Sequence, residues 1–516
     1  MKSKFALGFS MILCSLVIVT AATGCSNKTD QTASVSNSSN INTSKAVNLN
    51  MLFVGDKVAD QDRVFDEINK LAKQDLNCTV NVKNLSWADY VQQYPLVLAS
   101  GEPMDLVYSS DWMNYFDQAR KGAFHEITRS DIETYMPITA AEQSQESFNQ
   151  AMVNGKLYMI PNYQFEFNVY RVVGIRTDLG KQYDITDVKT VSDFEKYCET
   201  IAEKEKGLFP IAYEGSGGND SYYIFLTQPN QFQQITANFR MMAIRYKDGK
   251  FDYENPFNIY ETPEFEAYAK LMRSWAEKGF WSRNASSGQG KINDSFVVGK
   301  SAVDVWHVGG VDSDIQKINA SNPDWTVQIV DLSPTSYKTI SKFTNNGVSI
   351  SVNSKEYERS LMLLEKFKND QRYLDLSCLG IEGVHWINTG EGTYKEGPDY
   401  EKYPIYGVSM WGWMSEKYRR TPIINSSNIK EIIASWRPDV VYPITDDFVF
   451  DDTNVKSEYA AITGLMNTFN TTIDLGMAAD VNMAIADFQT KLKSAGYDKF
   501  LSEYMNQYNA FIAANK

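Results

Sequence analysis

Residues 48–112 read NLNMLFVGDKVADQDRVFDEINKLAKQDLNCTVNVKNLSWADYVQQYPLVLASGEPMDLVYSSDW, and this stretch decides the fold. Its first seven residues, Asn48 to Val54, are mostly apolar and unbroken by Gly or Pro, and read as a strand. Val64, Phe65, Ile68, Leu71 and Ala72 then recur at helical spacing, and Cys78 to Val82 alternates as a second strand. Another helix is expected over about 87–100, stopped by Gly101-Glu102-Pro103 before the short apolar strand Asp105 to Tyr108. Strand, helix, strand, helix, strand implies a mostly parallel sheet with helices on its faces, whose ligands collect beyond the carboxyl ends of the strands. Asp111 and Trp112 stand there, directly after the third strand.

The same reading carries along the chain. Strands are expected at Gly155 to Ile160 and Phe167 to Ile175, around the loop Pro161-Asn162-Tyr163, where the chain can cross between lobes. A second α/β unit follows, with a helix near 192–206, a strand at Phe209 to Tyr213, a polar turn at 214–220 and a hairpin around Lys247-Asp248-Gly249-Lys250. The helix from Thr262 to Lys278 has Pro263 in its first turn, Phe265, Tyr268, Met272 and Trp275 on one face, and Gly279 as its stop. Strands return at Ser295 to Trp306, Trp325 to Leu332 and Gly347 to Val352, before a helix near 354–368. Tyr497, Phe500, Leu501, Tyr504, Tyr508, Phe511 and Ile512 predict a docked final helix.

The amino-terminal end is of another kind. Lys2 and Lys4, the apolar run Phe5 to Thr20 and the small residues Ala22-Thr23-Gly24 lead to Cys25, the pattern of a secretion signal ending at a lipidated cysteine. The run is shorter than the roughly 20 residues a spanning helix needs. Ala22 stands where the usual lipoprotein box has Leu. Residues 26–45, polar and without aromatics, cannot offset their ordering entropy and read as a flexible tether. The expected location is therefore the outer face of the cell membrane.

About 470 residues follow the tether, too many for one core. The net charge is −14 and becomes −16 once Lys2 and Lys4 leave with the signal, which argues against nucleic acid and against polybasic membrane adhesion. Beyond Cys14 and Cys25 the cysteines are Cys78, Cys198 and Cys378, odd in number and far apart, so a disulfide framework is not expected, although one pair is compatible with the count.

Catalytic motifs fail on inspection. Gly299-Lys300-Ser301 lacks the upstream glycine of a phosphate loop, because Asp294 occupies its place. Gly407-Val408-Ser409-Met410-Trp411 has Trp where a nucleophile elbow needs Gly. His125, His307 and His385 lie far apart without metal-ligand spacing. The pairs Asp446-Asp447 and Asp451-Asp452 read as solvated loop charges. No enzyme, cofactor or metal is expected.

Seven segments carry a resemblance: Asp105 to Trp112 (DLVYSSDW), Val153 to Pro161 (VNGKLYMIP), Val173 to Leu179 (VGIRTDL), Gly299 to Val303 (GKSAV), Leu379 to Trp386 (LGIEGVHW), Phe448 to Ile462 (FVFDDTNVKSEYAAI) and Ala495 to Ala510 (AGYDKFLSEYMNQYNA). In this order the chain resembles a family 1 extracellular solute-binding lipoprotein of a carbohydrate ABC importer, in the Gram-positive subgroup with an additional C-terminal domain of unassigned function. Trp386 stands where the pattern has Tyr.

The resemblance implies a two-lobed α/β fold of the periplasmic-binding-protein type II class, with several inter-lobe crossings and a helical C-terminal extension. The expected partition is 1–24 signal, 25–45 tether, 46–162 plus 307–350 first lobe, 163–306 plus 351–440 second lobe, and 441–516 C-terminal segment. It also implies a monomer that captures a carbohydrate, by analogy an oligosaccharide, in the cleft and passes it to membrane permease subunits. An exported glycoside hydrolase and a lipid-anchored adhesin are the alternatives.

A sugar presents flat C–H faces and a rim of hydroxyls, so its site needs aromatic platforms beside planar hydrogen-bonding groups. The candidates at loop positions are Asp111, Trp112, Asn162, Tyr163, Tyr213, Glu214, Trp306, His307, Glu382, His385, Trp386, Trp411 and Trp413. Trp411 and Trp413 share a face if that segment is extended.

Overall fold

In the computed structural model the first strand, β1 (Val47–Val54), has its last four residues buried and lies between two neighbours, which is why its second half is apolar at every position. The structure describes residues 42–515 apart from 165, 166, 168, 212, 214–219, 237, 238, 288–291, 391, 406–409, 416 and 423–427. The leader, Cys25 and most of the tether lie outside the described residues.

After β1 come α1 (Gln61–Leu76), β2 (Cys78–Leu85), α2 (Tyr90–Ala99) and β3 (Leu106–Ser109). The expected apolar face of α1 is buried through Val64, Phe65, Ile68 and Ala72, and the helix ends at Asn77 in the left-handed region (φ 49°). The chain continues through β4 (Ile160–Pro161), β5 (Arg171–Arg176), α3 (Val191–Lys204), β6 (Phe209–Ile211) and α4 (Pro263–Glu277). Thr262 caps α4 by accepting from the Phe265 N–H, with Pro263 in the first turn. Next are β7 (Ser301–His307), α5 (Val308–Ser321), β8 (Val327–Val330) and β9 (Gly347–Ile350).

Two sheets result. The first has the order β2-β1-β3-β9-β4, parallel through β2, β1 and β3, with β9 antiparallel to β3 and to β4. The second has the order β8-β5-β7-β6, with β5 antiparallel to both β8 and β7. Gly174, in the middle of β5, lets α5 approach the sheet: a Cβ there would lie 2.6 Å from Val311 Cγ1.

The chain crosses between the sheets at 162–170 and at 331–346. It then returns to the first sheet for α6 (Tyr357–Asn369) and α7 (Gln371–Leu379), which pack on α1. It passes back to the second sheet for α8 (Ile429–Trp436), where Trp436 packs on Phe167 and Tyr170.

The expected partition therefore needs correction. Residues 307–330 complete the second sheet, and 351–422 build on the first, because β9 inserts beside β3 and carries the following helices with it. The strand expected over Ser295 to Trp306 also divides. Residues Ile292–Val297 are helical, Gly299 turns at φ 73°, and only Ser301–His307 is extended.

The last three helices, α9 (Lys456–Asp474), α10 (Val481–Ser494) and α11 (Tyr497–Asn515), share one hydrophobic core with the second sheet. Phe469 and Phe488 stack with centroids 4.0 Å apart, and Tyr260 meets both edge-on. Cys78, Cys198 and Cys378 are buried free thiols. Among the described residues no helix is long and apolar enough to cross a membrane.

Candidate functional site

The carboxyl ends of the first sheet's strands carry a shelf of aromatic rings. At the end of β3, Ser110 donates its hydroxyl to the Asn345 carbonyl (2.8 Å) and accepts from the Trp112 N–H (3.2 Å). This forces a tight turn over Asp111–Met113 that projects Asp111 and Trp112 beyond the sheet. The Trp112 indole lies against Trp87 at 6.2 Å and an interplanar angle of 29°, meets Tyr90 edge-on at 5.8 Å, and donates Nε1–H to the Asn345 carbonyl at 2.9 Å. Trp411 comes within 5.8 Å of both Trp87 and Tyr108. Trp87, Tyr90, Trp112 and Trp411 are half-buried, around a fully buried Tyr108. Each of the four thus keeps ring surface free while its neighbours hold its orientation.

Asp111 lies beside this shelf. Burial raises its carboxyl pKa, against the opposing effects of the Lys342 ammonium, the Trp112 N–H, Ser110 and Thr344. The two crossings meet here. The Asn162 N–H donates to the Asn346 carbonyl (2.7 Å), and Tyr163 packs on Phe343 at 5.4 Å. Among the described residues, the side-chain Oδ1 of Asn162 and both side-chain polar atoms of Gln164 are buried at the crossing with no hydrogen-bond partner.

On the second sheet, Trp306 and His307 end β7, with His307 in register with Arg171 of β5. His307 caps α5, its Nδ1 accepting from the Gly310 N–H at 3.0 Å. Burial, and then the Arg171 charge, push its pKa down to about 3, so the ring is neutral at physiological pH. Arg171 in turn donates to Asp220 (2.6 Å) and lies 4.8 Å over the Tyr223 ring.

Of the other candidates, Tyr213, His385, Trp386 and Trp413 are buried. Tyr213 is 1% exposed, bonds to the Ser221 hydroxyl and packs on Trp281, so its ring is core. Glu214 lies outside the described residues. Glu382 is exposed in the turn that bridges to Trp386. His385 is fully buried, its Nδ1 accepting from the Ile381 N–H (2.9 Å) and its Nε2 facing Asp60 at 3.1 Å. Trp386 donates to the Gly380 carbonyl (3.0 Å) under the Arg420 guanidinium. Trp413 is fully buried between Phe53 and Phe367 and donates to Ser377 (3.0 Å). Trp411 and Trp413 do not share a face, because Met410–Gly412 forms a helical turn rather than a strand.

Four residues of this region were not among the candidates. Trp87 and Tyr90 follow β2 as Asp111 and Trp112 follow β3, and the rule that ligands gather past strand carboxyl ends would have found them. Lys342 and Asp446 carry no such signal, since only the crossing and the C-terminal segment bring them together. Asp446, expected as a solvated charge, has its pKa pushed up to about 6 by burial, against Lys342 and with help from Asp447 and Asp111. Among the described residues no group of His, Cys, Asp and Glu is placed to hold a metal ion.

Residues 58–358 match the family model described as bacterial extracellular solute-binding protein, more than half of the chain. The chain belongs to this family. Residues 444–513 match a second model, a domain of unknown function (DUF3502), which coincides with the three terminal helices and the segment leading into them. This solute-binding protein is 26% identical over 496 residues to a carbohydrate ABC transporter substrate-binding protein of Streptococcus pneumoniae serotype 4, with 91% of each chain covered. Its fold is similar to the crystal structure of the N-glycan transport solute binding protein NgtS from Streptococcus pneumoniae. That likeness has a TM-score of 0.75 at 24% identity, over 92% of this chain and all of the other. The same protein in complex with Man5GlcNAc matches at 0.70 and 24%, over 92% of this chain and all of the other. The alginate-binding protein AlgQ2 shares the fold at a TM-score of 0.66 and 15% identity, over 90% and 98% of the two chains.

Proposed function

We propose that this protein captures a carbohydrate, an oligosaccharide, between its two sheets and delivers it unchanged to the permease subunits of an ABC importer. The observation that carries the reading is the shelf of Trp87, Tyr90, Trp112 and Trp411, half-exposed rings fixed beside the Asp111 carboxylate. Flat rings beside a planar acceptor suit a pyranose, whose C–H faces stack while its hydroxyls donate. The relatives that carry carbohydrate-transport names support the same ligand class. Trp306, His307, Arg171 and Asp220 are the candidates for the opposing wall, with hinge bending at the crossings closing the cleft.

The protein acts as a monomer without turnover or cofactor, held on the outer face of the membrane by a lipid on Cys25. One diacylglycerol group provides the two chains that stable attachment needs.

A thermal-shift screen against a glycan library tests the binding, since a ligand at 100 times its dissociation constant stabilises by about 2.7 kcal/mol. Absence of any shift would refute the carbohydrate reading, and shortened products on incubation would make the protein a hydrolase. Cell fractionation of a Cys25→Ser variant tests the anchor, which requires release from the membrane.

A further inference from the structure

Three distant stretches of chain enclose a small recess beside the second crossing. Glu146 comes from a short helix of the first sheet's side, Ser341, Lys342 and Phe343 from the crossing itself, and Asp446 and Asp447 from the segment that opens the C-terminal domain. It holds about 130 Å³, well below the ~300 Å³ at which pockets begin to enclose a whole small molecule. What enters is therefore one end or one substituent of a longer ligand. The recess adjoins the aromatic shelf, since Trp112 donates to the carbonyl of Asn345, two residues beyond Phe343 of the recess wall. Asp111, the neighbour of Trp112, is close enough to Asp446 for each charge to act on the same Lys342.

Its chemistry is one-sided. Glu146, Asp446 and Asp447 contribute three carboxyl groups to the lining, and Lys342 contributes one ammonium that is shared with Asp111. Ser341, only 4% exposed, also lines the recess, and among the described residues its Oγ has no hydrogen-bond partner. Acceptors outnumber donors, so the wall is complemented by hydroxyl, amide N–H or ammonium groups and opposed by a further anion.

We propose that the C-terminal domain is part of the ligand site: Asp446 and Asp447 accept hydrogen bonds from the hydroxyl or amino substituents that a sugar unit on the shelf extends into this recess, and with Glu146 they exclude carboxylated sugars. The inference rests on the carbohydrate reading above and narrows it to neutral and amino sugars.

The test is calorimetric titration of wild type and of an Asp446→Asn/Asp447→Asn variant. The probes are neutral trisaccharides (xylotriose, mannotriose, chitotriose), the de-N-acetylated chitosan trimer, and the acidic trimers of galacturonate and mannuronate. Wild type is expected to bind at least one neutral or amino probe and neither acidic one. The double variant is expected to lose at least tenfold in affinity for the best probe while its affinity for the uronates rises. Ser341→Ala, which removes a hydroxyl the fold does not use, is expected to lose about threefold, and it reads the recess even should the double variant fold poorly. Uronate binding by wild type overturns the inference and leaves the carbohydrate reading intact. So does binding of a neutral probe by the variants within twofold of wild type. Failure of every probe overturns both.

Discussion

Asp474, the last residue of α9, is where the C-terminal domain is fastened to the second sheet's body, and its removal should loosen that union measurably. Its Oδ2 accepts from Arg240 Nη1 at 2.7 Å and its Oδ1 from the Tyr268 hydroxyl at 2.7 Å. The Asp474 and Arg240 side chains are 7% and 20% exposed. Breaking a buried ion pair by deleting one partner costs about 3–5 kcal/mol, chiefly for the charge left behind. Here the stranded guanidinium keeps some access to water and lies 4.4 Å over the Tyr222 ring, which places Asp474→Ala at the lower end, about 3 kcal/mol. Removing the stranded charge as well, in Arg240→Met/Asp474→Ala, should restore about half of that loss. Urea unfolding followed by circular dichroism measures both variants, and hydrogen exchange over α9 localises the effect. A loss below about 1 kcal/mol for Asp474→Ala, or a double variant as unstable as the sum of the single ones, would refute the reasoning.

Further outcomes follow from other parts of the molecule. Trp112→Ala or Trp87→Ala should cost about 2 kcal/mol of glycan affinity, roughly thirty-fold, with the fold intact, whereas Trp413→Ala should lower stability by about 3–5 kcal/mol; titration calorimetry and urea unfolding separate the two. His307, whose pKa is about 3 in the folded protein against about 6.5 unfolded, takes up a proton on unfolding, so its contribution is whole above pH 6.5 and falls as the pH drops toward 3. Between pH 7.5 and pH 5 the wild type should lose about 2 kcal/mol more than His307→Asn, which keeps a helix cap, and parallel unfolding profiles would contradict this. Burial pushes the Cys78 thiol up to about 11 and the Cys378 thiol to about 12, and raises the Cys198 thiol well above its ordinary value. In the mature Cys25→Ser protein a thiol reagent at pH 8 should therefore find no reactive group until denaturant exposes Cys78, Cys198 and Cys378 together.

Much of this protein was legible in its sequence. The helical stripe from Val64 to Ala72, the capped start at Thr262-Pro263 and the aromatic face of the terminal helix are short-range patterns, written in residues three or four apart. The order of elements in 48–112 was enough for a parallel sheet, and the rule for strand ends led to Asp111 and Trp112. The tertiary structure alone decided the rest. Trp411 and Trp413 are two residues apart in similar surroundings, yet one stands on the shelf and the other is sealed between Phe53 and Phe367, because the chain turns helically between them. Strand β9 looks like any short apolar strand, and only its pairing with β3 carries residues 351–422 to the first sheet. Lys342 and Asp446, about a hundred positions apart, become neighbours only once the C-terminal helices dock. Local periodicity encodes which face of an element is apolar. Which partner covers that face, and therefore which rings and charges remain for a ligand, is settled by packing between segments hundreds of residues apart, and no local pattern specifies it.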